Sequence, residues 1–277
     1  MHSRAESEPL VRVGIGGLGA IGLKTARALD AGNILGMSLA AVSARDIDKA
    51  KRNMADFKRQ VPIVKLNELA DHADIIVECA PSSVFRDVAV ATLEAGKTFI
   101  PISVGGLLIN DDLQALAKKN NARIVVPTGA LIALDAVRAA AEGVIHSVTM
   151  VTRKPPAGLE GAPYIVENKI DLGAIKEPTK IFDGSARDGA KGFPANVNVA
   201  AALSLAGIGP DKTVLQIWAD PTVDRNIQHF EVDADSASFE ATIKNIPSDE
   251  NIKTGRITAL SVIAALRGLT SPFKVGS

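Results

Sequence analysis

The stretch "VRVGIGGLGAIG", Val11 to Gly22, runs from a β-branched segment through a cluster of glycines into a helical pattern. The pattern continues as "LKTARALDAG", with Ile21, Leu29 and several alanines at helical spacing and Gly32 to close it. Two overlapping frames satisfy G-x-G-x-x-G: Gly14, Gly16 and Gly19, or Gly17, Gly19 and Gly22. The second leaves Val11 to Gly16 as an unbroken strand. It also sets Gly22 one turn into the helix, where close packing on the strand leaves no room for a side chain. This frame predicts a tight turn at Gly17, close backbone approach at Gly19 and a helix N-terminus aimed at negative charge. Strand, glycine turn and helix in that order hold the pyrophosphate of a dinucleotide. Gly17, Gly19, Ala20, Ile21 and Gly22 are the expected contacts.

The alternation continues outward from this unit. "MSLAAVSA", "DIIVECA", "KTFIPIS" and "ARIVVP" read as buried strands, with "DIDKAKRNMADF", "SVFRDVAVATLEAG" and "DDLQALAKKN" as the helices between them. Near-continuous apolar strands separated by helices predict an α/β domain of the Rossmann type, a doubly wound parallel sheet. After "PTGALIALDAVRAAAEG" the alternation stops. "VIHSVTMVTR", "TVLQIWADP", "IQHFEVDAD" and "SFEATIKNI" alternate like strands with one wetter face, interrupted by a helix in "NVNVAAALSLAG". The predicted organisation is a dinucleotide domain over residues 1–130, then an α+β domain with an antiparallel or mixed sheet over residues 131–254. The last helix, within residues 255–277, is expected to pack back on the first domain.

Composition narrows the function classes. Of 277 residues, 47% are hydrophobic and 22% charged, the balance of a soluble protein with a substantial core. Lys+Arg and Asp+Glu both number 31, so no global basic field exists to hold nucleic acid or a membrane surface. The single cysteine excludes an internal disulfide and fits a reducing compartment. "MHSRAESEPL" lacks the apolar core of a signal peptide, and no apolar run approaches the ~18 residues of a membrane span. The expected location is cytoplasmic. No metal site is expected, because the four histidines and one cysteine show no ligand spacing.

Choice between NAD and NADP is made at the tip of the second strand, where an acidic residue would bind the ribose 2′-OH. Here "AVSARDIDK" places Ser43, Ala44 and Arg45 at the tip, with Asp46 just beyond. A hydroxyl and a guanidinium suit a 2′-phosphate, so NADP is the expected preference, with NAD also usable. Cys79 and Ala80 end the third strand beside the expected nicotinamide position. For an anionic substrate the second domain offers Arg153 and Lys154 in "TRKPP" and Arg187 in "GSARDGAKGF". His2 and His72 read as surface residues and His146 as structural.

The motifs "VGIGGLGAIG", "VECAP", "SVGGL", "PTGALIALDAV", "VTRKPP", "FDGSARDGAKGFPANVNVAAALSLAG" and "ADPTVDRN" together resemble the L-aspartate dehydrogenase family. The match runs in order from about Val11 to about Arg267. The resemblance implies oxidative deamination of L-aspartate to iminoaspartate, then oxaloacetate and ammonia, with NAD or NADP. It also implies a homodimer joined through the second domain. Among cofactor contacts it implies the backbone of Ala130 and the side chain of Asn198; the asparagines Asn196 and Asn226 fall near the expected substrate position.

The family's catalytic histidine does not carry over. The family pattern after "ADP" is four residues, Asn, one residue, then His; here that position holds Gln228, and the histidine is displaced to His229. Successive strand residues face opposite ways, so Gln228, Phe230 and Val232 share one face and His229 the other. A glutamine cannot exchange a proton, which leaves Lys154 and His229 as candidate replacements. Two rival readings keep the nucleotide site: a reductase of another imine or 2-oxo acid, and a dinucleotide sensor without catalysis.

Overall fold

The computed structural model describes residues 9–248 and 254–276; His2 lies outside them. Strand β1 (Val11–Gly16) pairs with β2 (Met37–Ser43) on one side and β3 (Ile75–Glu78) on the other. Strands β4 (Thr98–Pro101) and β5 (Arg123–Ile124) complete a wholly parallel sheet of order β2-β1-β3-β4-β5. The chain changes direction across the sheet between β1 and β3. Ligands of such sheets bind beyond the carboxyl ends of the strands at this switch point, here at Gly17 and Cys79.

Strands β1 to β4 are mostly apolar because helices cover both faces, with Arg12 exposed on β1 and Glu78 buried at the end of β3. The last helix, Arg256–Thr270, supplies part of that cover. Its Val262 and Leu266 are fully buried in one cluster with Val13 and Ile15, each burial worth roughly 1.5–3 kcal/mol. Arg267 and Thr270 fasten it by donating to the carbonyls of Asn33 (3.0 Å) and Leu35 (2.8 Å). Strand β5 is shorter than the apolar run "ARIVVP" predicts. It is an edge strand with an exposed arginine, and its ladder stops after Val125 N–H reaches the Phe99 carbonyl, two residues before Pro127, which has no N–H to give.

The second sheet is mixed. Strands β6 (Ile145–Lys154), β7 (Thr179–Ser185), β8 (Val214–Ala219), β9 (Ile227–Ala234) and β10 (Ser238–Lys244) take the order β10-β9-β6-β8-β7. Only β6 and β8 run parallel. One face is buried: Val148, Met150, Phe182, Ile217 and Phe230 share a cluster with Leu203 of the helix Asn198–Ala206. The same cluster includes Val104, Leu107 and Val137. The core therefore runs unbroken from one sheet to the other, and the carboxyl ends of β1 and β3 meet the second sheet across a cleft.

Candidate active site

The glycine turn has the second of the two frames. Gly17 adopts φ +107°, and a Cβ there would sit 2.6 Å from the Cys79 carbonyl oxygen. A Cβ at Gly22 would meet the Gly17 carbonyl oxygen at 1.9 Å, so helix and turn touch through backbone alone. At Gly19, the residue before the helix Ala20–Asp30, nothing lies within 4 Å. Backbone is exposed at the helix N-terminus with space in front of it, a fit for pyrophosphate. Ser43 is buried, and its carbonyl accepts from Gly17 N–H at 2.8 Å. It therefore supports the turn from below, a correction to its expected place at an open tip. Arg45 is exposed and makes no ion pair among the described residues. Asp46 caps the next helix, accepting from Lys49 N–H at 2.9 Å.

Beneath the switch point lies a carboxylate that sequence reading passed over. Glu78 is fully buried. It accepts from Ala80 N–H (2.8 Å), Ser103 N–H (3.0 Å), Ile102 N–H (3.3 Å) and Ser103 Oγ (3.0 Å). Burial pushes its carboxyl above the usual range, against the pull of these donors. Burial, and then the Glu78 charge, push the Cys79 thiol up, so Cys79 is a packed neutral residue beside the turn. Ala80 N–H is taken by Glu78 and its carbonyl lies 3.3 Å from Ser103 Oγ, which leaves the alanine's methyl group to face a cofactor. The carboxylate clamps the β3 and β4 tips together. From there Gly105 N–H donates to Asn198 Oδ1 at 3.1 Å, which ties the clamp to the helix Asn198–Ala206 and leaves Asn198 its Nδ2 donors for a ligand.

A cavity between the sheets gathers residues from both. Ile21 and Ala130 line it from the nucleotide side; Lys154, Asn196, Asn198, Asn226 and Gln228 line it from the other. Lys154 is the only charged side chain among its described lining residues. It is 5% exposed and Gln228 3%. Strand pairing sets Thr152 opposite Gln228, and the Thr152 hydroxyl donates to Gln228 Oε1 at 2.7 Å. Thr152, Lys154 and Gln228 thus share the buried face of the sheet. Thr152 was not among the expected site residues; an inward threonine two positions before the lysine of an alternating strand was the available signal.

Three expected site residues lie elsewhere. His229 faces the outer side, where its ring nitrogens meet Thr242 Oγ1 (2.8 Å) and Glu231 Oε1 (3.1 Å), so it cannot reach the cavity that Gln228 lines. Arg153, next to Lys154, points to the same outer side. It lies over the Trp218 ring at 5.0 Å and pairs with Asp220 at 3.3 Å. Arg187 is a tie between segments. It grips Asp211 with Nε (2.6 Å) and Nη2 (3.0 Å), and Asp111 and the Leu108 carbonyl with Nη1. These partners raise the pKa of its guanidinium and occupy the donors a substrate carboxylate would need. Asn196 and Asn226, the other two expected substrate residues, do line the cavity.

A family model described as "Aspartate dehydrogenase, C-terminal" matches residues 135–269, and one described as "Homoserine dehydrogenase, NAD binding domain" matches residues 17–127. An L-aspartate dehydrogenase of Bradyrhizobium diazoefficiens is 56% identical, covering 96% of this chain and 94% of its own. The chain belongs to the L-aspartate dehydrogenase family. L-aspartate dehydrogenase 3 of Bordetella bronchiseptica is 51% identical over the full length of both chains. The crystal structure of the aspartate dehydrogenase of Thermotoga maritima aligns with a TM-score of 0.69 at 27% identity, covering 96% of this chain and 99% of that one. Kinship with these relatives accounts for the Rossmann sheet followed by a mixed sheet.

Proposed function

We propose that the protein is an NAD(P)-dependent L-aspartate dehydrogenase that interconverts L-aspartate with iminoaspartate and, by hydrolysis, oxaloacetate and ammonia. The observation that carries this reading is the cavity between Ile21, beside the glycine turn, and Lys154 and Gln228 on the buried face of the second sheet. Gly17, Gly19 and Gly22 would hold the pyrophosphate, and Ala130 and Asn198 the nicotinamide end. The bound dinucleotide supplies the hydride acceptor or donor. Asn196 and Asn226 orient the substrate carboxylates through amide N–H groups. Lys154 takes the proton from the substrate ammonium or from water, a role that Gln228 cannot perform. Gln228, held by Thr152, orients the water or the carbinolamine hydroxyl.

The test follows NADPH absorbance with oxaloacetate, with and without ammonium, and repeats it with NADH. Ammonium-dependent oxidation is the expected result. Oxidation without ammonium would indicate a 2-hydroxy acid product, and tight binding without turnover a sensor.

NADP is the proposed preference, because Arg45 stands exposed at the β2 tip while Asp46 is held as a helix cap. Arg45→Ala is expected to raise KM for NADPH about tenfold, the loss of one charge-assisted hydrogen bond, and to leave NADH almost unchanged. Equal loss with both cofactors would remove the phosphate role from Arg45. The assembly we propose is a homodimer formed through the outer face of the second sheet, where Trp218 and Ile227 are only half-buried; light scattering reads its mass directly.

A further inference from the structure

Asn245 follows β10 and is 4% exposed. Its N–H donates to the Asn226 carbonyl at 2.9 Å, and its Nδ2 donates to the Ala130 carbonyl at 3.2 Å. A carbonyl only accepts, so the amide is oriented with Nδ2 toward Ala130 and Oδ1 on the opposite side. That Oδ1 is the one buried side-chain polar atom without a hydrogen-bond partner among the described residues. Buried acceptors are ordinarily paired, so one left open at a cavity wall marks the place of a donor that arrives with a ligand. Asn245 lines the same cavity as Ala130 and Lys154. Gly255, also on its wall, keeps the approach clear: a Cβ there would come within 3.0 Å of Oδ1.

The apolar walls, Ile21, Ile102, Val104, Pro127 and Val199, suit the faces of a flat ring. We propose that Asn245 Oδ1 accepts a hydrogen bond from the carboxamide N–H of the nicotinamide, and so fixes the direction in which the ring's carboxamide points. This rests on the dinucleotide reading of the cavity given above. Asn245 is then a cofactor-recognising residue, joined through its Nδ2 to the Ala130 turn.

The probe is a pair of ligands: NADP and its 3-acetylpyridine analogue, in which a methyl group replaces the amide nitrogen and its two N–H donors. Calorimetric titration without substrate should show the protein binding NADP about tenfold tighter than the analogue, the loss of one hydrogen bond to a buried acceptor. In Asn245→Ala the ratio should fall to about one. Each ratio is taken within one variant, so a general loosening of the cavity cancels. If Asn245→Ala does not fold, as read by circular dichroism, Asn245→Ser is expected to give the same collapse. A tenfold ratio retained in the variant overturns the assignment, the more so if its KM for aspartate rises instead. Failure of the unaltered protein to bind either dinucleotide would overturn the cofactor reading itself, and this inference with it.

Discussion

Lys154→Met is expected to lower kcat/KM for aspartate oxidation about 10³-fold and to leave the Kd for NADP within about twofold. The methionine keeps an unbranched apolar stem of similar reach, so the packing at this buried position survives while the titratable amino group and its polar contacts are lost. His229 stands on the opposite face of β9, engaged with Thr242 and Glu231, and Gln228 cannot exchange a proton. No other titratable side chain lines the cavity among the described residues. The pH profile separates proton transfer from charge attraction. If Lys154 acts as the base, the limb of log kcat/KM that reports its deprotonation disappears in Lys154→Met, and KM rises less than kcat falls. A large rise in KM with kcat preserved would make Lys154 a carboxylate clamp and leave the base to be found elsewhere.

The fold was legible because its signals are local and repeated. The choice of glycine frame followed from one steric argument, close packing at Gly22, and the same contact excludes a Cβ there in the structure. The parallel sheet followed from continuous apolar strands. What escaped was strand β7. Its run "TKIFDGS" places Asp183 and Gly184 within the strand, and a bulge between Lys180 and Phe182 breaks the alternation that would have revealed it. β5 failed in the other direction, since an apolar run at a sheet edge gained only two ladder residues.

The site was legible in its motifs and not in its cations. Arg153 and Lys154 stood together as candidates, though period two allows only one of two adjacent strand residues to face inward. Burial decides for Lys154, whose inward neighbours Met150 and Thr152 continue the buried row. Arg187 could not be assigned from sequence because its partners, Asp111 and Asp211, are far from it along the chain. Asn245 gave no signal at all. Its importance lies in an atom without a partner, a property of packing in three dimensions.

Gln228→His is expected to raise kcat/KM for aspartate about tenfold or more and to add a limb to the pH profile near the ordinary histidine range, about 6.5. The position is prepared for an imidazole. Residue 228 is buried on the cavity face, and the Thr152 hydroxyl across the ladder lies within hydrogen-bond reach of its side chain. A hydroxyl held against one ring nitrogen fixes the tautomer and leaves the other to exchange a proton with ammonium or water. A positioned acid or base contributes about 10²–10⁴ in rate; the smaller gain expected here reflects a base already supplied by Lys154. The double variant Lys154→Met with Gln228→His tests that sharing, because the imidazole should recover much of what the lysine loss removes. Non-additivity of this kind is the mark of two groups serving one proton. If Gln228→His instead lowers activity with Lys154 intact, the amide has a role of its own. The water or carbinolamine it orients would then be handled by hydrogen bonding alone, and the chemistry of this cavity would depend on a single titratable group.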